Sequence, residues 1–319
     1  MTQADTSPTL GRLRDPSFWA DWTAAVALVL LIIIFGITSP VFLTLGNLQA
    51  LLLAAAILMV LTIGQTYVIL TGGIDLSVAS ILTLGSVVLG QAYSRGWGMA
   101  AACVLAIATG ALVGLINGWV IAKGKITDFI VTLGSLSAAA GAALVLSDGK
   151  PVQIASPFLL RLATGRLGPI GYFVILAAIA AIIAHIVLFY TRFGTHLLAT
   201  GGDAEAARAM GIGTDRVKIT AYVISGCLAG IASILLTARV GAAEPASNTS
   251  FLLNSVAAVV LGGVSLFGGR GTIAGPVVGA LLLTALVNGL TLLSVSQFYQ
   301  PLAVGIVVVL AALLMRYQQ

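Results

Sequence analysis

Charge is the scarcest feature of this 319-residue chain, because only 8% of its residues are Asp, Glu, Lys or Arg while 59% are hydrophobic. A soluble domain carries about a quarter charged residues, since it presents a solvated surface to water. The 15 basic and 10 acidic side chains cannot cover the surface of a 32.4 kDa globule. The composition therefore excludes a soluble globular fold and predicts an all-α polytopic protein with lipid as its solvent.

Cysteine and histidine are nearly absent. Cys103 and Cys227 both lie in apolar segments, and we interpret them as packed, unpaired thiols. His185 and His196 lack the spacing that is typical of metal ligands. We therefore predict neither a metal site nor a cofactor.

Catalytic and nucleic-acid-binding patterns are also missing. The apolar runs contain no paired carboxylates, no His–Glu set and no Gly-x-Ser-x-Gly turn. Gly124-Lys125 resembles a phosphate loop, but the upstream glycine is missing and Ile126 stands where Ser or Thr is required. The basic residues are dispersed rather than gathered in a patch with aromatics. The sequence thus predicts no enzymatic activity, no ATP hydrolysis by this chain and no nucleic-acid partner.

Apolar runs long enough to cross a bilayer are abundant. A spanning helix needs about 20 residues, and short breaks containing glycine, proline or charge separate ten such runs. The predicted spans are 21–39, 49–71, 75–93, 97–121, 128–146, 169–190, 217–238, 251–267, 272–293 and 299–315. We expect one transmembrane domain over 21–315, preceded by a polar cytoplasmic tail over 1–20 that leads into a signal anchor.

Basic residues predict the orientation, because cytoplasmic loops are enriched in Lys and Arg. With the N-terminus inside, ten basic residues are cytoplasmic and five are outside. The inside set is Arg12, Arg14, Lys123, Lys125, Arg192, Arg208, Arg216, Lys218, Arg270 and Arg316, and the outside set is Arg95, Lys150, Arg161, Arg166 and Arg239. Both termini are then cytoplasmic. Loop 147–168, with a possible short interfacial helix, is periplasmic, and the polar loop 191–216 is cytoplasmic.

Glycines recur at four-residue spacing in three spans. The rows are Gly110, Gly114 and Gly118; Gly226 and Gly230; and Gly271, Gly275 and Gly279. Each row lies on one helix face. Bare backbone on such a face lets another helix approach closely, so the rows predict helix packing.

The segment Thr71-Gly-Gly-Ile-Asp-Leu-Ser77 contains an acidic residue, Asp75, at the margin of a predicted span. Either Asp75 or Ser77 caps the third span after a turn at Gly72 and Gly73, or the glycines break a helix beside a transport pathway that Asp75 and Ser77 line. Uncharged polar residues inside other spans suit a neutral polyhydroxylated solute, or they bond neighbouring helices. They are Gln65, Asn117, Asn254, Thr284 and Asn288.

The polar loop 191–216 contains Glu205-Ala-Ala-Arg-Ala-Met-Gly211 after Gly201-Gly202-Asp203. Asp203 suits an N-cap and Gly211 suits a helix end, which predicts a short exposed helix. A helix of two turns is marginal alone in water. It is therefore either a docking element for a partner or an ordinary loop helix.

Four ordered blocks, 64–85, 114–137, 191–212 and 259–283, resemble the permease subunits of bacterial ribose- and xylose-type ABC sugar importers. The similarity runs from about residue 40 to 315. The Gly-Gly-Ile-Asp-Leu-Ser block resembles the sugar branch of the superfamily rather than its branched-chain amino acid branch.

The resemblance implies an inner-membrane permease with a core of the inverted-repeat type, which imports a monosaccharide or related polyol. Its partners would be two cytoplasmic ATPase subunits, a periplasmic sugar-binding protein and a second permease, identical or paralogous. The coupling helix to the ATPase maps onto Gly202, Asp203, Glu205, Ala206, Ala207, Arg208 and Gly211, and candidates for the pathway or gate are Gln65, Gly72, Gly73, Asp75, Ser77, Asn117, Asn254 and Asn288. Alternatives are a permease for branched-chain amino acids or another small polar metabolite, and an ion-coupled secondary carrier.

Overall fold

The computed structural model describes residues 16–246 and 249–316. This part of the chain contains thirteen helices and four two-residue strands. The helices are α1 (Pro16–Thr38), α2 (Leu45–Leu70), α3 (Val78–Ser94), α4 (Met99–Gly124), α5 (Asp128–Ser147), α6 (Pro157–Thr164), α7 (Tyr172–Tyr190), α8 (Arg192–Gly202), α9 (Ala204–Ala209), α10 (Thr214–Val240), α11 (Thr249–Leu261), α12 (Ala274–Leu292) and α13 (Gln300–Arg316). The predicted all-α class is confirmed.

The four strands form two small antiparallel ribbons. β1 (Val152–Gln153) pairs with β4 (Ala242–Ala243), and β2 (Arg166–Leu167) pairs with β3 (Ile170–Gly171). They tie loop 147–168 to the end of α10 and to the start of α7.

Each of the ten predicted spans overlaps one helix, and α6, α8 and α9 lie in the two long loops. Six helices are long and apolar enough to cross a membrane by length and composition: α2, α4, α5, α7, α10 and α12. The apolar parts of α1, α3, α11 and α13 are shorter. The number of crossings and their direction stay predictions. Arg12, Arg14 and most of the predicted tail 1–20 lie outside the described residues.

The predicted bounds differ from the helices by up to six residues, and the largest difference is at α11, which ends at Leu261 rather than at 267. α3 begins at Val78 rather than at 75. Gly72 after α2 and Gly263 after α11 take the left-handed backbone, with φ of 79° and 78°. This conformation ends a helix. Each of these helices is therefore followed by a non-helical segment, 71–77 and 262–273.

The glycine rows of α4 and α10 pack against each other, which confirms the prediction that these rows serve helix packing. A Cβ atom on Gly110 would overlap the carbonyl oxygen of Gly226, and one on Gly114 would overlap that of Tyr222. These two backbones therefore touch where side chains are missing. Cys103 in α4 and Cys227 in α10 are unpaired, as predicted.

The third glycine row is only partly helical. Gly275 and Gly279 of α12 pack against the backbone of Gly262 and Ala258 at the end of α11. Gly271 precedes α12, has a φ of 158° and lies against Val264. The prediction of one continuous row is therefore wrong at Gly271.

Among the six membrane-capable helices α2 is the most buried, since 83% of its apolar window is buried. It contacts α7, α10, α11 and α12. By contrast, α5 buries 17% of its window and packs chiefly on α3. The helix α2 is therefore central and is followed by segment 71–77. The helix α5 is peripheral and lies beside that segment.

Candidate functional site

Asp75 is fully buried in segment 71–77, and three hydrogen bonds from other groups satisfy its carboxylate. Oδ1 accepts from the backbone N–H of Ser77 at 2.9 Å and from its hydroxyl at 2.6 Å. Oδ2 accepts from the hydroxyl of Ser225 on α10 at 3.0 Å. A buried carboxylate is tolerable when donors replace its water. Asp75 therefore joins the non-helical segment to α10.

The hydroxyl of Ser77 connects Asp75 to α4 and α5 through further hydrogen bonds. Asn117 of α4 donates from Nδ2 to Ser77 Oγ at 2.9 Å. Its Oδ1 accepts a short hydrogen bond from Ser135 of α5. Asn117 and Ser77 are both completely buried. Three predicted pathway residues, Asp75, Ser77 and Asn117, thus share one buried cluster.

The predicted pathway residue Gln65 belongs to the same cluster. Its buried side-chain amide faces the backbone of Asp75. In one of the two amide orientations its nitrogen donates to the Asp75 carbonyl and its oxygen accepts from the Asp75 N–H, each at 3.2 Å. The last turns of α2 therefore hold the peptide groups of the segment that follows α2.

Asp128, the first residue of α5, binds the same segment from the other side. Its Oδ2 accepts from the backbone N–H of Ile74 at 2.7 Å. Thr132, one turn later, shares its hydroxyl proton between the carbonyl of Asp128 at 2.7 Å and the carbonyl of Ile74 at 3.3 Å. A Cβ on Gly73 would come within 3.1 Å of Asp128 Oδ2 and 2.9 Å of Tyr222 Oη. Glycine at this position therefore leaves room for both polar groups.

A cavity of about 870 Å³ lies against the opposite face of segment 71–77. Ile74 and Leu76 line it, whereas Asp75 and Ser77 alternate with them and are buried in the cluster. The other walls are Phe129 of α5 and residues of α11 and α13. No charged residue lines it within the described chain. Its polar lining residues are Ser250, Asn254, Gln297 and Gln300.

The two predicted pathway asparagines of the C-terminal half lie in different places. Asn254 of α11 lines the cavity. Asn288 of α12 instead exchanges two side-chain hydrogen bonds with Asn47 of α2, at 2.9 and 3.0 Å. The structure therefore brings Asn254 to the cavity and Asn288 to a helix–helix contact away from the buried cluster.

The short helix predicted in loop 191–216 is present as α9. Asp203 caps it, since its Oδ1 accepts from the N–H groups of Glu205 and Ala206, both at 2.9 Å. Gly211 follows it with a φ of 84° and donates to the carbonyl of Arg208. Ala207 is buried, whereas Glu205 and Arg208 are exposed. The predicted cap, helix and end are confirmed.

An ion pair and a hydrogen bond join α9 to α10. Asp215 at the start of α10 binds Arg208 of α9 at 3.0 Å, and Arg208 also donates from Nε to Thr214 at 2.8 Å. The other oxygen of Asp215 binds Lys123 of α4 at 3.0 Å, which joins α10 to α4. All three charged groups are partly solvent-exposed, so each pair contributes modestly.

Backbone contacts between glycines connect the α8–α9 region to segment 71–77. A Cβ on Gly201 of α8 would overlap the carbonyl oxygen of Leu70, the last residue of α2. That carbonyl accepts a hydrogen bond at 3.0 Å from Gly269, which has a φ of 74°. A Cβ on Gly268 would lie 2.7 Å from the nitrogen of Gly72. We call these contacts among 70–72, 201–202 and 268–269 the glycine junction.

Several residues of the site escaped the sequence analysis. Ser135, Tyr222 and Ser225 bear no local signal, because a single serine or tyrosine in an apolar helix is ordinary. Asp128 stands at the start of a predicted span, where an acidic residue indicates only a helix N-terminus. The Tyr222 hydroxyl is buried and has no hydrogen-bond partner among the described residues. Likewise, no group of three His, Cys, Asp or Glu residues that could hold a metal occurs in the described ranges.

Residues 47–314 match the family model described as the permease component of the branched-chain amino acid transport system. The ribose import permease of Escherichia coli K12 is 37% identical and covers 97% of this chain and 98% of its own length. The ribose import permease of Bacillus subtilis 168 is 41% identical over 91% of each chain. The L-arabinose ABC transporter permease of Azospirillum brasilense is 34% identical over 89% of this chain and 84% of its own. No solved structure matches.

These similarities cover nearly the whole chain and agree with the predicted resemblance. Permeases of this family work in general with ATPase and binding-protein partners and lie in the inner membrane. The six membrane-capable helices fit that location. The chain belongs to the family of ABC importer permeases and is a transport subunit.

Proposed function

We propose that the chain is the permease subunit of an ATP-driven importer that moves a monosaccharide or related polyol across the bacterial inner membrane. The observation that carries the proposal is the cavity against segment 71–77, whose lining has amide and hydroxyl groups but no charge. Such groups hydrogen-bond a neutral polyhydroxylated solute without a fixed counter-charge. The identity of 37% to 41% with ribose import permeases supports the same class of substrate.

A branched-chain amino acid is the alternative substrate, since the family description names it. A zwitterion carries two charges that a buried path must compensate. The cavity lining offers no acidic or basic side chain for this purpose within the described residues. The sugar is therefore the better fit, and family membership weighs against an ion-coupled secondary carrier.

In the proposed assembly the chain crosses the membrane ten times with both termini in the cytoplasm. It pairs with a second permease, identical or paralogous, above two ATPase subunits and below a periplasmic sugar-binding protein. The exposed face of α9, with Glu205, Ala206 and Arg208, is the proposed docking element for the ATPase. Closure of the ATPase dimer would move α9 as a small rigid unit.

The glycine junction provides a route for this movement. Gly201 stands two residues before the N-cap of α9 and touches the end of α2 through bare backbone. The next residues of the chain, 71–77, carry the cavity wall at Ile74 and Leu76. A displacement of α8 and α9 would therefore be transmitted to the cavity wall through contacting backbone. Within the described part of the chain, no side chains lie between the contacting backbones that could deform and absorb the movement.

The test is uptake by proteoliposomes that contain the permease with its ATPase and binding protein. We expect uptake of labelled pentose that requires both ATP and the binding protein, with no comparable uptake of leucine. Uptake of leucine in place of pentose would favour the amino acid alternative. Uptake driven by an ion gradient without ATP would contradict the proposal.

A further inference from the structure

We infer that Asp128, helped by Thr132, is a positioning residue that latches α5 to segment 71–77 and keeps the α5 edge of the cavity closed. The inference rests on the proposed transport function and goes beyond it. Asp128 Oδ2 lies 2.7 Å from the Ile74 nitrogen, and Thr132 donates to the Ile74 carbonyl. Residues on one face of α5 thus bind both the backbone N–H and the backbone carbonyl of Ile74.

The two sides of this latch are anchored very differently. Segment 71–77 is held to the buried centre, because Ser225 of α10 binds the Asp75 carboxylate and the Gln65 amide faces the Asp75 backbone. The helix α5 lies at the periphery and buries only 17% of its apolar window. When the two surfaces separate, α5 is therefore the element that moves.

The latch stands directly beside the cavity. Phe129, the residue after Asp128, lines the cavity on the α5 side, and Ile74 itself lines it on the side of segment 71–77. The hydrogen bond between Asp128 and Ile74 thus fixes the separation of two facing cavity walls. In the proposed orientation this edge is at the cytoplasmic end of the cavity, where the substrate leaves.

The geometry around Gly73 allows the latch to open without leaving the Asp128 carboxylate without a hydrogen-bond donor. Asp128 and the unpartnered hydroxyl of Tyr222 both approach Gly73, within 3.1 and 2.9 Å of the position that a Cβ would take. Asp128 is half-buried, so water also reaches it once α5 moves. When α5 moves away, the Asp128 carboxylate therefore exchanges the Ile74 N–H for other hydrogen-bond donors. Such an exchange lets the gate open reversibly.

The decisive comparison is Asp128→Ala against Asp128→Asn. Alanine removes the acceptor for the Ile74 N–H, whereas the amide oxygen of asparagine retains it. A hydrogen bond to a charged group contributes enough to shift a closed–open equilibrium by about tenfold or more. We therefore expect Asp128→Ala to leak, with ATP-independent efflux of preloaded pentose from proteoliposomes raised by about tenfold. Asp128→Asn keeps a neutral acceptor for the Ile74 N–H and should leak clearly less than Asp128→Ala.

Glu244→Ala removes an exposed carboxylate elsewhere in the chain and serves as the control. Thr132→Val removes the second hydrogen bond of the latch together with the bond of Thr132 to the Asp128 carbonyl within α5, and we expect a smaller leak. If Asp128→Ala reaches the membrane poorly, Thr132→Val still tests the latch. Thr109→Val is its control, since Thr109 bonds only within its own helix.

Wild-type efflux from both Asp128→Ala and Thr132→Val would overturn the latch. An equal leak from Asp128→Asn and Asp128→Ala would also overturn it, because the charge and not the hydrogen bond would then matter. If wild-type proteoliposomes fail to import pentose at all, the proposed function fails instead. The two failures are therefore distinguishable.

Discussion

Ser225 and Asp75 are 150 residues apart in sequence and meet in the buried centre, where the serine hydroxyl donates to the carboxylate at 3.0 Å. This contact bears on the two interpretations of Asp75. The Oδ1 contacts with Ser77 resemble a helix cap, although α3 begins only at Val78. The Oδ2 contact is long-range and joins the interrupted segment to α10. Asp75 supports the cavity wall from behind, and its carboxylate does not line the cavity.

Asp75→Ala should therefore destabilise the protein as well as stop transport. The change leaves the Ser77 and Ser225 hydroxyls without their acceptor, at a cost of about 1 to 3 kcal/mol for each stranded buried group. Ser225→Ala leaves Oδ2 of the buried Asp75 carboxylate without its donor and should cost at least about 1 to 3 kcal/mol. Thermal unfolding in detergent measures both. Unchanged stability of Asp75→Ala together with a raised KM would instead indicate direct contact with the substrate.

Alanine variants of the two asparagines predicted for the pathway should differ in their uptake kinetics. Asn254→Ala removes an amide from the cavity lining, so we expect a KM for uptake raised by about tenfold with normal protein levels. Asn288→Ala breaks the paired hydrogen bonds with Asn47 and should lower stability by about 1 to 2 kcal/mol with KM unchanged. Asn47→Ala is the matched control and should reproduce Asn288→Ala. A raised KM in Asn288→Ala would return that residue to the pathway.

The sequence predicts this fold best where the signal is local. Apolar runs locate the helices, and the Asp203 cap with Gly211 locates α9, because the determining residues are neighbours in the chain. The four-residue glycine spacing locates the contact between α4 and α10 for a similar reason, since a single helix face carries it.

Contacts between distant residues could not be predicted in the same way. Asn254 and Asn288 are alike in sequence, and only the rotation of α11 and α12 within the bundle separates a cavity residue from a packing residue. The partnership of Asp128 with Ile74 depends on how α5 is placed beside segment 71–77, which no local pattern specifies. The ends of α2 and α11 depend on glycines whose positive φ appears only in the folded chain.

The end of α9 allows a test by backbone conformation alone. Gly211 has a φ of 84°, and no heavy atom of another residue would lie within 4 Å of its Cβ. Asparagine tolerates this left-handed region and β-branched residues do not. We therefore expect Gly211→Asn to retain uptake and ATPase binding, and Gly211→Val to lose both while still reaching the membrane. Uptake assays and co-purification of the ATPase measure the difference, and normal coupling in Gly211→Val would contradict a role for α9 geometry.

The glycine junction offers the sharpest matched pair, because Gly201 and Gly202 are adjacent in α8. A Cβ on Gly201 would overlap the Leu70 carbonyl, whereas one on Gly202 would meet nothing within 4 Å. If movement of α9 passes through this junction, Gly201→Ala should displace α8 from the end of α2 and reduce uptake at least about tenfold, since packed backbone cannot yield by a rotamer change. Gly202→Ala should transport normally. Measuring uptake and ATP hydrolysis together separates the outcomes: lost uptake with continued hydrolysis supports the junction as the coupling route, whereas equal uptake by the two variants contradicts it.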